Sequence, residues 1–363
     1  MSKKILFYLI SFWLITIIAS IIWGFENPEK IERVKSYFKK KQITEVSEAN
    51  EDSKEIIANS FNLNVKKVLE IEGKTAFITH ELSKNFNIRN LNVFTQTGNL
   101  IENLEAKKVK LPKNFTLQMN GGIKTIITLQ ENEIKHRIAL ISSYEKKDKH
   151  CFFASLVLIK SGNELFRSKC LPADPNDNDF NGLGSSNIHL DDKILLTLGS
   201  PEKHTGRNGL LAQKDDSKFG KILEIEKSDL IKKINDQNHE LNLKIYSKGH
   251  RVPQGLTVLE NKIFSVEHGP KGGDELNLID NGKNYGWPNV SYGTNYLVSE
   301  GGDGASIKIN HKKNNFEEPL FAFVPSVGIS SLNNCPSVLK NYYKKNCLMA
   351  LSLYGNSLRK GYS

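Results

Sequence analysis

The chain has 363 residues, 39% hydrophobic and 25% charged, an ordinary composition for a globular body with one or two cores. Its net charge of +10 comes mostly from lysines scattered along the chain. No aromatic–arginine stacking pattern and no glycine-rich phosphate loop accompanies them, so nucleic-acid binding is set aside in favour of a solvated lysine surface.

In chain order, Lys3 and Lys4 precede the uncharged run "ILFYLISFWLITIIASIIW", Ile5 to Trp23. At about 20 residues it is long enough to cross a bilayer as a helix, with the basic end in the cytoplasm and Trp23 at the far interface. A cleaved signal peptide is the rival, but no A-x-A pattern follows, so residues 1–24 read as an anchor in preference to a signal. Either way the body is exported. "NPEKIERVKSYFKKK" then predicts a short amphipathic helix with Asn27 as N-cap, and a polar linker runs to residue 60.

From Phe61 onward the pattern becomes short apolar runs between turn residues: "KTIITL", "HRIALISSY", "ASLVLIK", "DKILLTLG", "GKILEIE" and "CLMALSLYG" among others. This predicts an all-β body over 61–363, with a propeller fitting its length better than one sandwich. The one later helix expected lies near Ser228 to Asn235. Cys151 and Cys170 flank a predicted hairpin, and Cys335 and Cys347 bracket a short segment. In an oxidising compartment two local disulfides are preferred to four buried thiols.

The chemistry concentrates between Gly249 and Pro288. "EHGPKGGDELNLIDNGKNYGWP" holds glycines that permit inward-turned carbonyls, with the carboxylates of Asp274, Glu275 and Asp280 nearby. Carbonyls and carboxylates on an irregular loop suit a hard cation such as calcium, although the spacing is not that of an EF-hand. The plainer alternative is a polar surface loop.

"GHRVPQGL", "VEHGPKGGDELNLIDNGKNYGWPNVSYG" and "AQKDDSKFGKILEIE" resemble the pyrroloquinoline-quinone-dependent glucose/sorbosone dehydrogenase family, the soluble aldose dehydrogenase type. The resemblance covers about Asn120 to Leu358 and is strongest from His250 to Tyr292. It implies a six-bladed β-propeller with PQQ over the central channel. Further implications are Arg251 and, by an early amide position, Asn120 on the quinone. The carbonyls of Gly269 and Pro270 fall to an active-site Ca2+. Glu275, Tyr285 and Glu318 fall to a second, structural calcium, with Ser291 and Asn295 near its remaining positions. For Tyr285 and Trp287, core packing between blades is an equal alternative.

Departures accompany the resemblance. The family's general-base histidine falls on Asn181, and a neutral amide does not take a proton at neutral pH. His250 and His268 are the replacement candidates, whereas His189 reads as a strand-end surface residue. Val252 and Tyr354 replace an asparagine and a lysine of the family's cofactor site, and Lys360 is too far along to substitute. The last strands read as those of a fifth blade, which favours an incomplete copy over closure by the strands from Phe61 to Gly98. The expected function is an anchored, exported dehydrogenase oxidising a small sugar or aldehyde, with an electron acceptor for which no motif speaks. The alternative is a non-catalytic, calcium-stabilised propeller binding a glycan or protein partner. A hydrolase-type propeller ranks last, because no carboxylate pair stands out.

Overall fold

The computed structural model describes residues 76–82, 88–95, 99–102, 105–108, 115–116, 122–145, 151–172, 183–201, 209–294, 307–353 and 358–362. The expected anchor and linker lie outside these residues, as do Asn120, Asn181, Asn295 and Tyr354. Among the described residues no helix is long and apolar enough to cross a membrane.

The described residues form five antiparallel sheets in sequence order. The first holds β1 (Ala76–Leu82), β2 (Ile88–Thr95), β3 (Asn99–Glu102) and β4 (Glu105–Lys108). The second is the meander β6 (Gly122–Glu131), β7 (Ile134–Glu145), β8 (Cys151–Leu158) and β9 (Asn163–Arg167). It is extended by the two-residue strands β5 (Phe115–Thr116) and β10 (Leu171–Pro172). The third holds β11 (Asn187–His189), β12 (Lys193–Leu198), β13 (Lys221–Glu226) and β14 (Lys244–Lys248). The fourth holds β15 (Val252–Leu259), β16 (Lys262–His268), β17 (Asp274–Ile279) and β18 (Phe321–Phe323), and the fifth β19 (Ile329–Asn334), β20 (Cys347–Ser352) and β21 (Leu358–Tyr362).

The first strand of each meander touches the first strand of the next: β1 with β6, β6 with β11, β11 with β15, β15 with β19. Successive sheets then bury their faces against each other. Ile127, Leu140 and Leu156 of the second meet Ile194, Leu196 and Leu223 of the third. Leu195 and Ile222 of the third meet Leu256 and Ile279 of the fourth, and Phe264 and Val266 of the fourth meet Ile329, Leu332 and Leu348 of the fifth. This is the radial stacking of a propeller. A strand packed on both faces needs no alternation, which is why β8 reads "FFASLVL" and is buried nearly throughout. Each fully buried Leu, Ile or Phe here contributes about 1.5–3 kcal/mol. The tight hairpin between β15 and β16 places Glu260 and Asn261 at φ 51° and 61°, the primed-turn geometry that matches strand twist.

Helix α1 (Lys227–Asn235) forms where the sequence predicts it, with Asp229 in its first turn and Lys232 and Lys233 in its last. A second helix, α2 (Ser337–Tyr343), was not expected. It is short, starts directly after Pro336, and sits inside the loop closed by the Cys335–Cys347 disulfide, so it shows no repeated apolar period. The Cys151–Cys170 disulfide also forms, with Cα atoms 5.4 Å apart against 5.3 Å for the other pair. His189 closes β11 and is exposed, as expected.

Candidate functional site in the fourth sheet

The site begins at a turn only glycine can make. Gly249, at φ +80°, follows β14, and a Cβ there would overlap Asn284 and the backbone of Gly286. The chain then enters β15, whose register with β16 pairs Val252 with His268 and Pro253 with Glu267. That register brings Arg251 beside the Gly269 loop. The backbone N–H of Arg251 donates to Glu267 Oε2 at 2.9 Å. Its guanidinium donates to the carbonyls of His268, at 3.1 Å, and Gly269, and lies 5.3 Å over the Trp287 ring. The long side chain is thereby held at one place in the wall of a pocket.

Across β16 and β17, Glu267 stands directly opposite Glu275. Both are buried, and like charges so placed repel. Asn277 mediates between them: its Nδ2 donates to Glu267 Oε1 at 2.9 Å and reaches Glu275 Oε2 at 3.4 Å. Burial first, and the Glu267 charge second, push the Glu275 carboxyl well above the usual carboxylate range. His311 Nε2 lies 3.5 Å from Glu275 Oε1, and burial holds that imidazole below its ordinary pKa against the pull of Glu318 and Glu267.

Arg251, Glu267, His268, Gly269, Glu275 and Tyr285 line one small pocket with Trp287, Val290, Ser291 and His311. Four buried polar atoms in and beside its wall have no hydrogen-bond partner: Asn277 Oδ1, Trp287 Nε1, His311 Nδ1 and His250 Nδ1. Unpaired buried groups are costly, and a water, ion or ligand completes the bonding of such atoms.

Of the residues singled out by sequence, Arg251, His268, Gly269, Glu275, Tyr285 and Ser291 meet at this pocket. Pro270 is buried beside it. His250 is fully buried, with Nε2 2.9 Å from Ser247 Oγ and its ring stacked on Tyr285 at 4.7 Å. His268 is partly exposed, with Nδ1 3.8 Å from Asp274 Oδ1. Burial lowers its pKa, against the opposing Asp274 charge. The Tyr285 hydroxyl donates to Leu278 O at 2.6 Å and accepts from Asp280 N at 2.9 Å, so it is satisfied by backbone, and burial raises its pKa. Glu318 stands on the exposed side. Partial burial would raise its pKa, but bonds from the Tyr292 hydroxyl and the Lys312 N–H outweigh that and hold it low.

Asp274 turns away from the pocket to bond backbone amides, and Asp280 is exposed at the end of β17. The sequence reading missed Glu267, Asn277 and His311. The first two carried a signal, since β-alternation places Glu267, Glu275 and Asn277 on one face once the register is known. His311 carried none. Among the described residues no three His, Cys, Asp or Glu side chains form a metal-binding group. Two carboxylates, Glu267 and Glu275, and the unpartnered Asn277 oxygen lie close together here, while the His268 and Gly269 carbonyls are taken by Arg251. A guanidinium beside an oxygen-rich, partly dry wall can hold an anionic or carbonyl-bearing ligand and a cation together.

Comparison with known proteins agrees with the fold. Over 98 residues the chain is 41% identical to quinoprotein glucose dehydrogenase B of Acinetobacter calcoaceticus, covering 26% of this chain and 20% of that protein. Over 94 residues it is 37% identical to the aldose sugar dehydrogenase YliI of Escherichia coli strain K12, covering 24% and 23%. An uncharacterised protein of a Synechocystis species matches at 34% over 125 residues, covering 33% of this chain and 29% of that protein. The aligned stretches thus span less than a third of each relative's length. Among solved structures, the soluble aldose sugar dehydrogenase of Escherichia coli in its apo-form superposes with a TM-score of 0.56 at 18% identity, covering 79% of this chain and 89% of that one. A glucose dehydrogenase superposes at 0.54 and 19%, covering 78% and 85%. The model of the glucose/sorbosone dehydrogenase family matches residues 89–360, well over half the chain, and the chain belongs to that family.

Proposed function

We propose that the chain is a quinone-dependent sugar or aldehyde dehydrogenase of an exported, membrane-anchored kind, built on a six-bladed propeller. The observation that carries the reading is Arg251, fixed by two carbonyls and the Trp287 face in the wall of the pocket. Relatives named quinoprotein glucose dehydrogenase and aldose sugar dehydrogenase support the substrate class. Two disulfides support an oxidising compartment, and the Ile5–Trp23 run supports the anchor.

The residues fit PQQ at Arg251, whose guanidinium suits carboxylates and quinone oxygens. They fit a hard cation at Glu267 and Glu275 once the Asn277 amide is flipped to turn its oxygen, in place of Nδ2, towards both carboxylates. The Gly269 carbonyl, expected on calcium, is engaged by Arg251. When bound, PQQ would supply the two-electron acceptor. The chain itself orients the ligand through Arg251, excludes water with Trp287 and Val290, and offers His268, which lines the pocket with His311 and is the partly exposed one of the two. Asn181 occupies the base position of the family. The engagement of both guanidinium-facing carbonyls also favours a second reading, a calcium-stabilised propeller that binds a glycan or protein partner without turnover.

The deciding experiment titrates PQQ into the folded full chain with calcium present, then assays aldoses with a dye acceptor. Saturable binding that Arg251→Leu weakens by about ten- to hundredfold is expected, from the loss of one or more charge-assisted bonds. Sugar oxidation should be slow, and Asn181→His should raise it within the roughly 10²- to 10⁴-fold span of a positioned general base. Absence of quinone binding to folded, calcium-loaded protein overturns the dehydrogenase reading.

A further inference from the structure

Lys221 opens β13 and its side chain is completely buried. Its Nζ donates to three backbone carbonyls, Leu211 at 2.8 Å, Ala212 at 2.9 Å and Phe219 at 2.9 Å. An ammonium has three donors, so its bonding is complete. The acceptors belong to the single helical turn Gly209–Gln213 and to the loop that returns to β13, so the ammonium closes that loop from within. The nearby surface charges are Asp215, paired to Lys248 at 2.8 Å, with Asp216 and Lys218. Burial pushes Lys221 down to about 7, with Asp215 opposing it, while the three carbonyls favour the charged form. This is a carbonyl cage for a cation, with the cation supplied by the chain.

The cage reaches the pocket along two hydrogen-bonded routes. Ala212 O also accepts from Gly249 N at 3.1 Å, and Gly220 O accepts from His250 N at 3.1 Å, which fixes the two residues before Arg251. Gly220, at φ +68°, permits this approach, because a Cβ there would overlap Ala212. On the second route, Gln213 and Asn284 pair amide to amide at 3.1 and 2.8 Å, and Gln213 Nε2 donates to Trp287 O at 2.6 Å. Trp287 is the ring under the Arg251 guanidinium.

We propose that Lys221 is a positioning residue for the Arg251–Trp287 pocket. Its ammonium acts as a built-in structural cation that sets the 209–220 loop, and the loop sets Gly249 to Arg251 on one side and Trp287 on the other. The proposal rests on reading that pocket as the ligand site, but the lock can be tested without any quinone.

The test uses the full chain with Trp13 and Trp23 changed to Phe, so that Trp287 is the sole indole of the three. Lys221→Ala should red-shift Trp287 emission and increase its quenching by acrylamide, with the far-ultraviolet circular dichroism of the parent. Propylammonium should reverse both saturably by refilling the cage. Tetramethylammonium, with the same charge and no N–H, should not. PQQ affinity should fall about tenfold, the scale of one charged hydrogen bond, and recover with the same amine. Should Lys221→Ala fail to fold, Gln213→Ala cuts the second route while leaving the ammonium in place, and it should reproduce the Trp287 change. Native Trp287 emission in every folded variant overturns the proposal. So does a change in Lys221→Ala that no amine reverses while Gln213→Ala is silent. If the parent binds no PQQ, the proposed function fails, while amine rescue of Trp287 still decides the lock.

Discussion

Strand β17 begins with two neighbouring buried carboxylates that serve opposite surroundings. Asp274 faces the turn into the fifth sheet. Its Oδ2 accepts the N–H groups of Val327, Gly328 and Ile329 at 3.1, 2.8 and 3.1 Å, and its Oδ1 accepts Ser326 Oγ at 2.8 Å and Gly269 N at 3.1 Å. Glu275 faces the pocket with one long amide contact, an imidazole at 3.5 Å and a second carboxylate opposite. A buried charge with all its lone pairs met is structural, while one left short of partners is poised for a ligand. Lys221 is the cationic counterpart of Asp274, saturated by three carbonyls.

The largest effect expected from this contrast is on the saturated side. Asp274→Ala strands buried N–H groups at the junction of two sheets and should cost about 3–5 kcal/mol, read from urea unfolding with and without calcium. The loss should be the same in both conditions. A cost under about 1 kcal/mol, or one that calcium cancels, would break the distinction between the two carboxylates.

Most of the fold was legible because each strand carries its own signal. "DKILLTLG" and "GKILEIE" became β12 and β13, and the Cys151 hairpin became β8 and β9. The strands β5 and β10 have two residues each and no pattern to read. The site was legible where one segment holds it, from Gly249 to Trp287. It was not where it depends on register or on a distant loop. Asp274 looked like a cation ligand because sequence shows a carboxylate but not the hydroxyl 52 positions later and the amides 53 to 55 positions later that fill it. Glu267 was passed over because its partner across the ladder is set by the register of β16 and β17.

On the unsaturated side, Asn277→Asp places a third carboxylate between Glu267 and Glu275 and removes the amide donor to both. In chelator it should cost about 1.5–3 kcal/mol, the worth of a hydrogen bond to a charged group. Calcium should recover most of that loss and bind the variant more tightly than the parent. An equal loss in calcium and chelator would mean the wall takes no cation.

The smallest effect has the opposite sign. Glu275→Gln keeps the shape and removes a carboxyl that is costly to ionise opposite Glu267, so in chelator at pH 7.5 it should stabilise by about 0.5–1 kcal/mol, the scale of a like-charge cross-strand pair. The pH dependence follows from the raised Glu275 carboxyl. Above the ordinary glutamate range the unfolded chain has released this proton while the folded chain still holds it. The unfolded state then binds fewer protons, and stability falls as pH rises from about 4.5 towards the folded value. The parent in chelator should therefore show this decline in thermal midpoint, and Glu275→Gln should flatten it. Calcium should flatten it too, by favouring the ionised carboxylate, but only in the parent. A variant less stable than the parent at every pH, with the slope unchanged, would place Glu275 among the saturated charges with Asp274.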